Sequence, residues 1–183
     1  GSLLISFGEN PELVITGHID TLGAMVKEIN PDGTLAITEL GSYPLNSFEG
    51  EYVTVRNTKG KNYRGTFLLN NPAAHVNRNI GSDKRQLENM SVRLDAEVRS
   101  YEDVKKLNIE VGDFIFYDTR FETTNTGFVK SRFLDDKACA AVMIELIKEY
   151  AKSGKKKNIG FYFSNYEEVG HGSSTGIPAS TKE

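Results

Sequence analysis

The stretch from Lys130 to Gly172, KSRFLDDKACAAVMIELIKEYAKSGKKKNIGFYFSNYEEVGHG, constrains the fold most, because it ties a pair of aspartates to a pair of glutamates through one helix and one strand. From Ala138 onward Cys139, Val142, Met143, Leu146, Ile147 and Tyr150 recur at helical spacing, which predicts a helix with one buried stripe and with Glu145, Lys148 and Glu149 in water. Ser153-Gly154 stops it, and Lys155-Lys156-Lys157 reads as a solvated turn. Asn158 to Ser164 is a short apolar and aromatic run of the kind that forms a buried parallel strand. Asp135 and Asp136 precede the helix, and Glu167 and Glu168 follow the strand. Ligands of open α/β sheets bind outside the carboxyl ends of the strands, so a strand–helix–strand unit delivers both pairs to one edge. Four carboxylates gathered there need cations. Taken singly, each pair has a plainer role: an aspartate before a helix ordinarily caps it, and glutamates after a strand ordinarily face water.

A third element points to the same edge. Leu3 to Phe7 and Leu13 to Thr16 read as strands on either side of the Gly8-Glu9-Asn10-Pro11 turn, and Gly17-His18-Ile19-Asp20 follows the second. In extended chain His18 and Asp20 point to one side, an alternation that suits an imidazole ligand beside a carboxylate that orients its neighbour. Imidazole and carboxylates together fit a two-metal hydrolytic centre, in which a carboxylate not bound to metal takes a proton from water. Serine hydrolysis fits worse, since no Gly-x-Ser-x-Gly elbow occurs and Cys139 is expected on the buried stripe.

Between these motifs the texture changes. Gly23 to Asn30 and Thr34 to Glu39 read as strands around Pro31-Asp32-Gly33. From about Gly41, strands of period two are expected at Glu51 to Arg56, Tyr63 to Leu69, Val92 to Val98 and Asp113 to Tyr117, with Ser100 and Asp103 at capping-box spacing before a short helix over Tyr101 to Leu107. The expected division is a β-rich barrel or sandwich over 41–126, inserted into an α/β domain formed by 1–40 and 127–183. Asn70 to Lys84 is polar and turn-rich, an exposed loop carrying His75, a residue that could be lent across an oligomer interface.

Composition narrows the classes further. A length of 183 residues suffices for one substantial core or a small domain plus part of another, and no apolar run approaches a membrane span. The formal net charge of -3 gives no reason to expect a nucleic-acid or membrane partner. One cysteine, Cys139, excludes an internal disulfide, and a cytoplasmic home is expected.

GHIDTLGAMV, FLDDKACAAV and SNYEEVGHG, in that order and with a β-rich segment between the first two, resemble the glutamyl and tetrahedral metalloaminopeptidase family, cytosolic enzymes of which some were once labelled endoglucanase. The resemblance runs over nearly the whole chain. It implies an α/β/α zinc-peptidase-like catalytic domain with an inserted barrel-like domain that drives dimerisation and often a larger homo-oligomer. It implies two divalent ions, zinc or cobalt, and release of N-terminal residues from peptide substrates. His18, Asp135 and Glu168 would be metal ligands, with Asp135 bridging; Glu167 would be the general base, and Asp20 would orient the site from behind. The family pattern also continues to a further aspartate ligand and a later histidine ligand, and begins with a helical segment. None of these is matched here, so the resemblance implies a partial, inactive catalytic domain. Two other readings stay open: a non-catalytic oligomerisation or interaction module, and a two-metal deacylase or carboxypeptidase.

Overall fold

The structure is a computed structural model and describes residues 1–154, 158–173 and 176–182. The turn expected at Lys155-Lys156-Lys157 lies outside the described residues. In chain order the strands are β1 (Leu3–Phe7), β2 (Leu13–His18), β3 (Gly23–Ile29), β4 (Leu35–Leu40), β5 (Tyr52–Arg56), β6 (Asn62–Leu69), β7 (Met90–Leu94), β8 (Phe114–Tyr117), β9 (Glu122–Thr123), β10 (Val129–Lys130) and β11 (Ile159–Ser164). The α-helices are α1 (Tyr101–Lys106) and α2 (Leu134–Ser153). They divide into two compact units, one formed by residues 1–22 and 119–183, the other by 23–118.

In the first unit β11 is central, antiparallel to β1 and parallel to β2, with Ser164 opposite His18 at the carboxyl ends of the parallel pair. Every residue of β11 is buried, as a strand covered on both faces requires. α2 packs on this sheet through Ala140 and Met143, with Ile147 and Tyr150 partly covered, against Ile5, Phe7, Ile15, Phe161 and Phe163. The Tyr150 ring meets both Phe7 and Phe161, at centroid separations of 5.7 and 5.8 Å. Burying a side chain such as Phe161 contributes roughly 1.5–3 kcal/mol. Of the expected α/β/α layers, the described residues supply the sheet and this one helix.

The buried stripe of α2 differs from the expected one. Cys139, Val142 and Leu146 are exposed. The sequence offers two adjacent apolar rows, 139-142-146 and 140-143-147-150, and the three-stranded sheet covers only the second.

The second unit is a closed six-stranded barrel of order β3-β4-β7-β6-β5-β8. Alternate residues fill its interior, among them Val26, Leu35, Ile37, Val53, Val55, Phe67, Val92 and Ile115, all 1 % exposed or less. The division expected at residue 41 falls elsewhere: β3 and β4, assigned above to the α/β domain, are barrel strands. β3 pairs with β8 (Ala24 opposite Ile115) and β4 with β7 (Leu35 opposite Val92), which gives Ala24, Val26, Leu35 and Ile37 their burial. The loop at 70–86 is organised by Asn77, whose amide donates to Asn71 O and to Asp83 Oδ2, and by the Arg85–Glu49 ion pair at 2.7 Å. His75 is exposed on it.

Close packing within the barrel makes a specific expectation. A Cβ added at Gly65 in β6 would sit 2.7 Å from the Arg93 carbonyl oxygen and 3.0 Å from Val92 Cγ1. The backbone of β7 cannot yield without breaking its ladder with β6, so Gly65→Ala is expected to destabilise the chain by about 1–3 kcal/mol in urea unfolding, whereas Gly81→Ala, with open space around it, is expected to change little.

The short helix α1 starts as its sequence predicts. Asp103 N–H donates to Ser100 Oγ at 3.2 Å, and the Asp103 carboxylate accepts from the Ser100 hydroxyl, Arg99 N–H and the Lys106 ammonium. Lys106 first, then Ser100 and Arg99, lower the carboxyl pKa from 3.8 to about 2. A depressed folded-state pKa contributes stability that is present above the unfolded value and lost as pH falls through the folded one. The wild-type chain is therefore expected to melt higher than Asp103→Asn at pH 5, and the two are expected to converge as pH approaches about 2.

Candidate metal centre

β2 ends at His18, whose side chain is buried at the carboxyl edge of the sheet. Its ring meets oxygen on both sides. Nδ1 lies 3.2 Å from the Asp20 carbonyl and 3.5 Å from Asp20 Oδ1, while Nε2 lies 3.1 Å from Asp135 Oδ1 and 3.8 Å from Glu167 Oε2. Asp135 comes from the first turn of α2, where Asp135 and Asp136 depart from helical φ/ψ and are joined by a cis peptide bond. Phe133 before them and Tyr166 before the glutamates both take left-handed backbone conformations.

Glu167 and Glu168 lie in a 3-10 turn (Glu167–Val169) that follows β11. The Glu168 N–H donates to Asp20 Oδ2 at 3.0 Å, so Asp20 joins the end of β2 to the glutamate turn from beneath. Its other oxygen, Oδ1, is buried and has no hydrogen bond among the described residues. Gly172 closes on the turn, and a Cβ there would stand 3.2 Å from Glu167 Cγ. The structure thus brings His18, Asp20, Asp135, Glu167 and Glu168 to one edge of the first unit; His75 belongs to the second.

The electrostatics of this cluster call for a cation. A neutral imidazole whose Nδ1 donates to the Asp20 carbonyl presents the lone pair of Nε2 to two carboxylates, an arrangement that is repulsive unless a proton or a metal ion lies between them. Burial lowers the pKa of His18, but the Asp135 carboxylate, the Asp20 carbonyl and the charges of Asp20 and Glu167 outweigh it and hold the ring above its ordinary value. Burial likewise raises Glu168, and the neighbouring Glu167, Asp135 and Asp20 charges add to it while His18 opposes. Two donors that share a tetrahedral zinc ion at roughly 2.0–2.1 Å stand about 3.3 Å apart, close to the His18–Asp135 spacing of 3.1 Å. Glu167, at 3.8 Å, does not close the set, and among the described residues no three His, Cys, Asp or Glu side chains form a metal cage. The fit is that of a partial shell.

Two contacts went unforeseen in the sequence. Asp136 Oδ2 accepts the His18 N–H at 3.1 Å, and the Lys137 ammonium donates to the Ile19 carbonyl. The adjacent aspartates were legible as a motif, but a side chain that binds backbone leaves no pattern of its own.

The model of the M42 glutamyl aminopeptidase family matches residues 1–182. The chain belongs to this family. The Bacillus subtilis (strain 168) protein named "Putative aminopeptidase YhfE" is 44% identical over 172 residues, which cover 93% of this chain and 50% of that protein. The lysyl aminopeptidase of Pyrococcus furiosus is 22% identical over 171 residues, 93% of this chain and 48% of its own. This M42 chain thus spans about half the length of the curated relatives it matches. Among solved structures, the Pyrococcus horikoshii TET1 peptidase, which can assemble into a tetrahedron or a large octahedral shell, superposes with a TM-score of 0.79 at 24% identity, over 93% of this chain and 50% of that one. At that identity the likeness speaks for the fold, a mixed α/β unit with a closed barrel.

Proposed function

We propose that this chain carries part of the centre of a metal-dependent aminopeptidase that releases N-terminal amino acids from peptides. The observation that carries the reading is the convergence of the His18 Nε2 lone pair with the Asp135 and Glu167 carboxylates at one sheet edge, in a chain of a glutamyl aminopeptidase family. His18, Asp135 and Glu168 would hold two divalent ions, zinc or cobalt, with Asp135 shared between them. When bound, such ions polarise the scissile carbonyl and acidify water in the site.

The remaining steps belong to the side chains. Asp20 fixes the imidazole, because its carbonyl and Oδ1 face Nδ1 and leave Nε2 free to coordinate. It also anchors the Glu168 backbone. Glu167, half exposed beside the cluster, accepts the proton of the attacking water and returns it to the leaving amine. Glu168 coordinates. Membership of the family favours this reading over a deacylase or a carboxypeptidase.

We further propose that the protein works in the cytoplasm as a homo-oligomer assembled through the barrel. No helix among the described residues is long and apolar enough to cross a membrane, and Cys139 is a free thiol. A protein that carries this chain with the remaining family ligands is expected to hydrolyse leucine p-nitroanilide, to lose that activity to a chelator and regain it with cobalt, and to spare the N-acetylated substrate. Equal hydrolysis of the blocked substrate would favour the deacylase reading.

A further inference from the structure

We propose that Asp136 and Lys137 are positioning residues, which grip the backbone of His18 and Ile19 and so hold the His18 imidazole against Asp135. The proposal rests on the reading of His18 and Asp135 as metal ligands.

β2 is an edge strand among the described residues, paired with β11 alone, and the ladder leaves the His18 N–H without a strand partner. Asp136 Oδ2 supplies one at 3.1 Å. On the other side of the same segment the Lys137 ammonium donates to the Ile19 carbonyl, while Ile19 N–H donates to Ser164 O at 3.0 Å. The backbone that carries the His18 ring is therefore held before and after its Cα. The backbone sets where a side chain starts and which rotamers are open to it, so these bonds place the imidazole, while the Nδ1 contact with the Asp20 carbonyl orients the ring.

Gly17 completes the fit. A Cβ at that position would lie 2.9 Å from Asp136 Oδ2 and 2.9 Å from Met143 Sδ, so the carboxylate can reach the His18 N–H only past a residue without a side chain. Asp135, Asp136 and Lys137 are consecutive. The first faces the imidazole, and the next two hold the segment on which that imidazole stands, so the His18–Asp135 spacing of 3.1 Å is set within one turn of chain.

The test uses the whole chain, labelled with 15N, at fixed pH. It reads the His18 ring nitrogen signals without metal, the amide signals of β11 as a check on folding, and the affinity for Co²⁺ by calorimetry. Asp136→Asn keeps an oxygen acceptor without the charge, and it is expected to keep the His18 ring signals and a Co²⁺ Kd within about threefold of wild type. Asp136→Ala is expected to move the ring signals and to weaken Co²⁺ at least roughly tenfold, the usual loss when a partner of a metal ligand is removed, with β11 unchanged. Lys137→Met is expected to move the same ring signals and Lys137→Arg to restore them. Wild-type ring signals and Co²⁺ affinity in Asp136→Ala, or an equal loss in Asp136→Asn, overturn the proposal. Should Asp136→Ala lose its β11 signals, Lys137→Met decides: unmoved ring signals overturn the proposal. Should the wild-type chain bind no Co²⁺, the ligand reading fails for this chain, and the metal-free ring signals decide the positioning role alone.

Discussion

Titrated with zinc or cobalt, the 183-residue chain is expected to take up at most one ion, weakly, and at micromolar concentration to release no p-nitroaniline from leucine or glutamate p-nitroanilide. Catalytic zinc is ordinarily held by three protein ligands and keeps an open position for water. The proposed ligands here are His18, Asp135 and Glu168, and with Asp135 shared each ion would have about two. Geometry points the same way: the His18–Asp135 pair is closely spaced, Glu167 stands 3.8 Å from Nε2, and the described residues form no cage. Asp135 is 93% exposed at its side chain, so among the described residues nothing buries an ion bound there. A partner chain that lent a residue such as His75 would add one ligand to this set. Calorimetry and the two chromogenic assays check the expectation, and two tightly held ions per chain, or turnover that a chelator abolishes, would refute it.

The elements that build the cluster were legible because each leaves a periodic or positional trace. Leu13 to Thr16 and Asn158 to Ser164 are apolar runs of strand length, and β2 and β11 are indeed parallel, with His18 and Ser164 in register at one edge, although only β11 is covered throughout. The topology then had to bring the aspartates at the start of α2 and the glutamates after β11 to that edge. The capping box at Ser100 and Asp103 is local chemistry and was equally readable. What the sequence withheld is what depends on distant partners. β3 and β4 have the alternation of barrel strands, but their membership is decided by β8 and β7, whose pairing residues Ile115 and Val92 lie far along the chain. The apolar residues of α2 span two rows, and only the extent of the sheet beneath decides that Met143 is buried and Val142 is not. Asp136 and Lys137 act on backbone atoms, which every residue has, so no residue type at position 18 or 19 could have announced them.

Glu167 and Glu168 are adjacent, yet their exchange for glutamine is expected to have different consequences in a protein that joins this chain to the remaining family ligands. Glu167 lies near Nε2 without a hydrogen bond to it, with its carboxylate half exposed, as suits a group that must meet water and release a proton. Glutamine keeps its shape and removes its basicity. Loss of a general base costs about 10²–10⁴-fold in rate, so Glu167→Gln is expected to abolish practical turnover while the metal content stays at the wild-type level. Glu168 is fixed by its backbone bond to Asp20, and burial with three neighbouring carboxylates disfavours its charge, a situation that a bound cation relieves. Glu168→Gln is expected to lose activity and metal together, with affinity reduced by no less than the roughly tenfold typical of removing an outer-shell partner. Metal analysis after dialysis, set beside kcat at saturating cobalt, separates the two. If Glu167→Gln kept more than a few per cent of wild-type kcat, the proton acceptor would have to be another group; if Glu168→Gln kept its metal, Glu168 would not be a ligand.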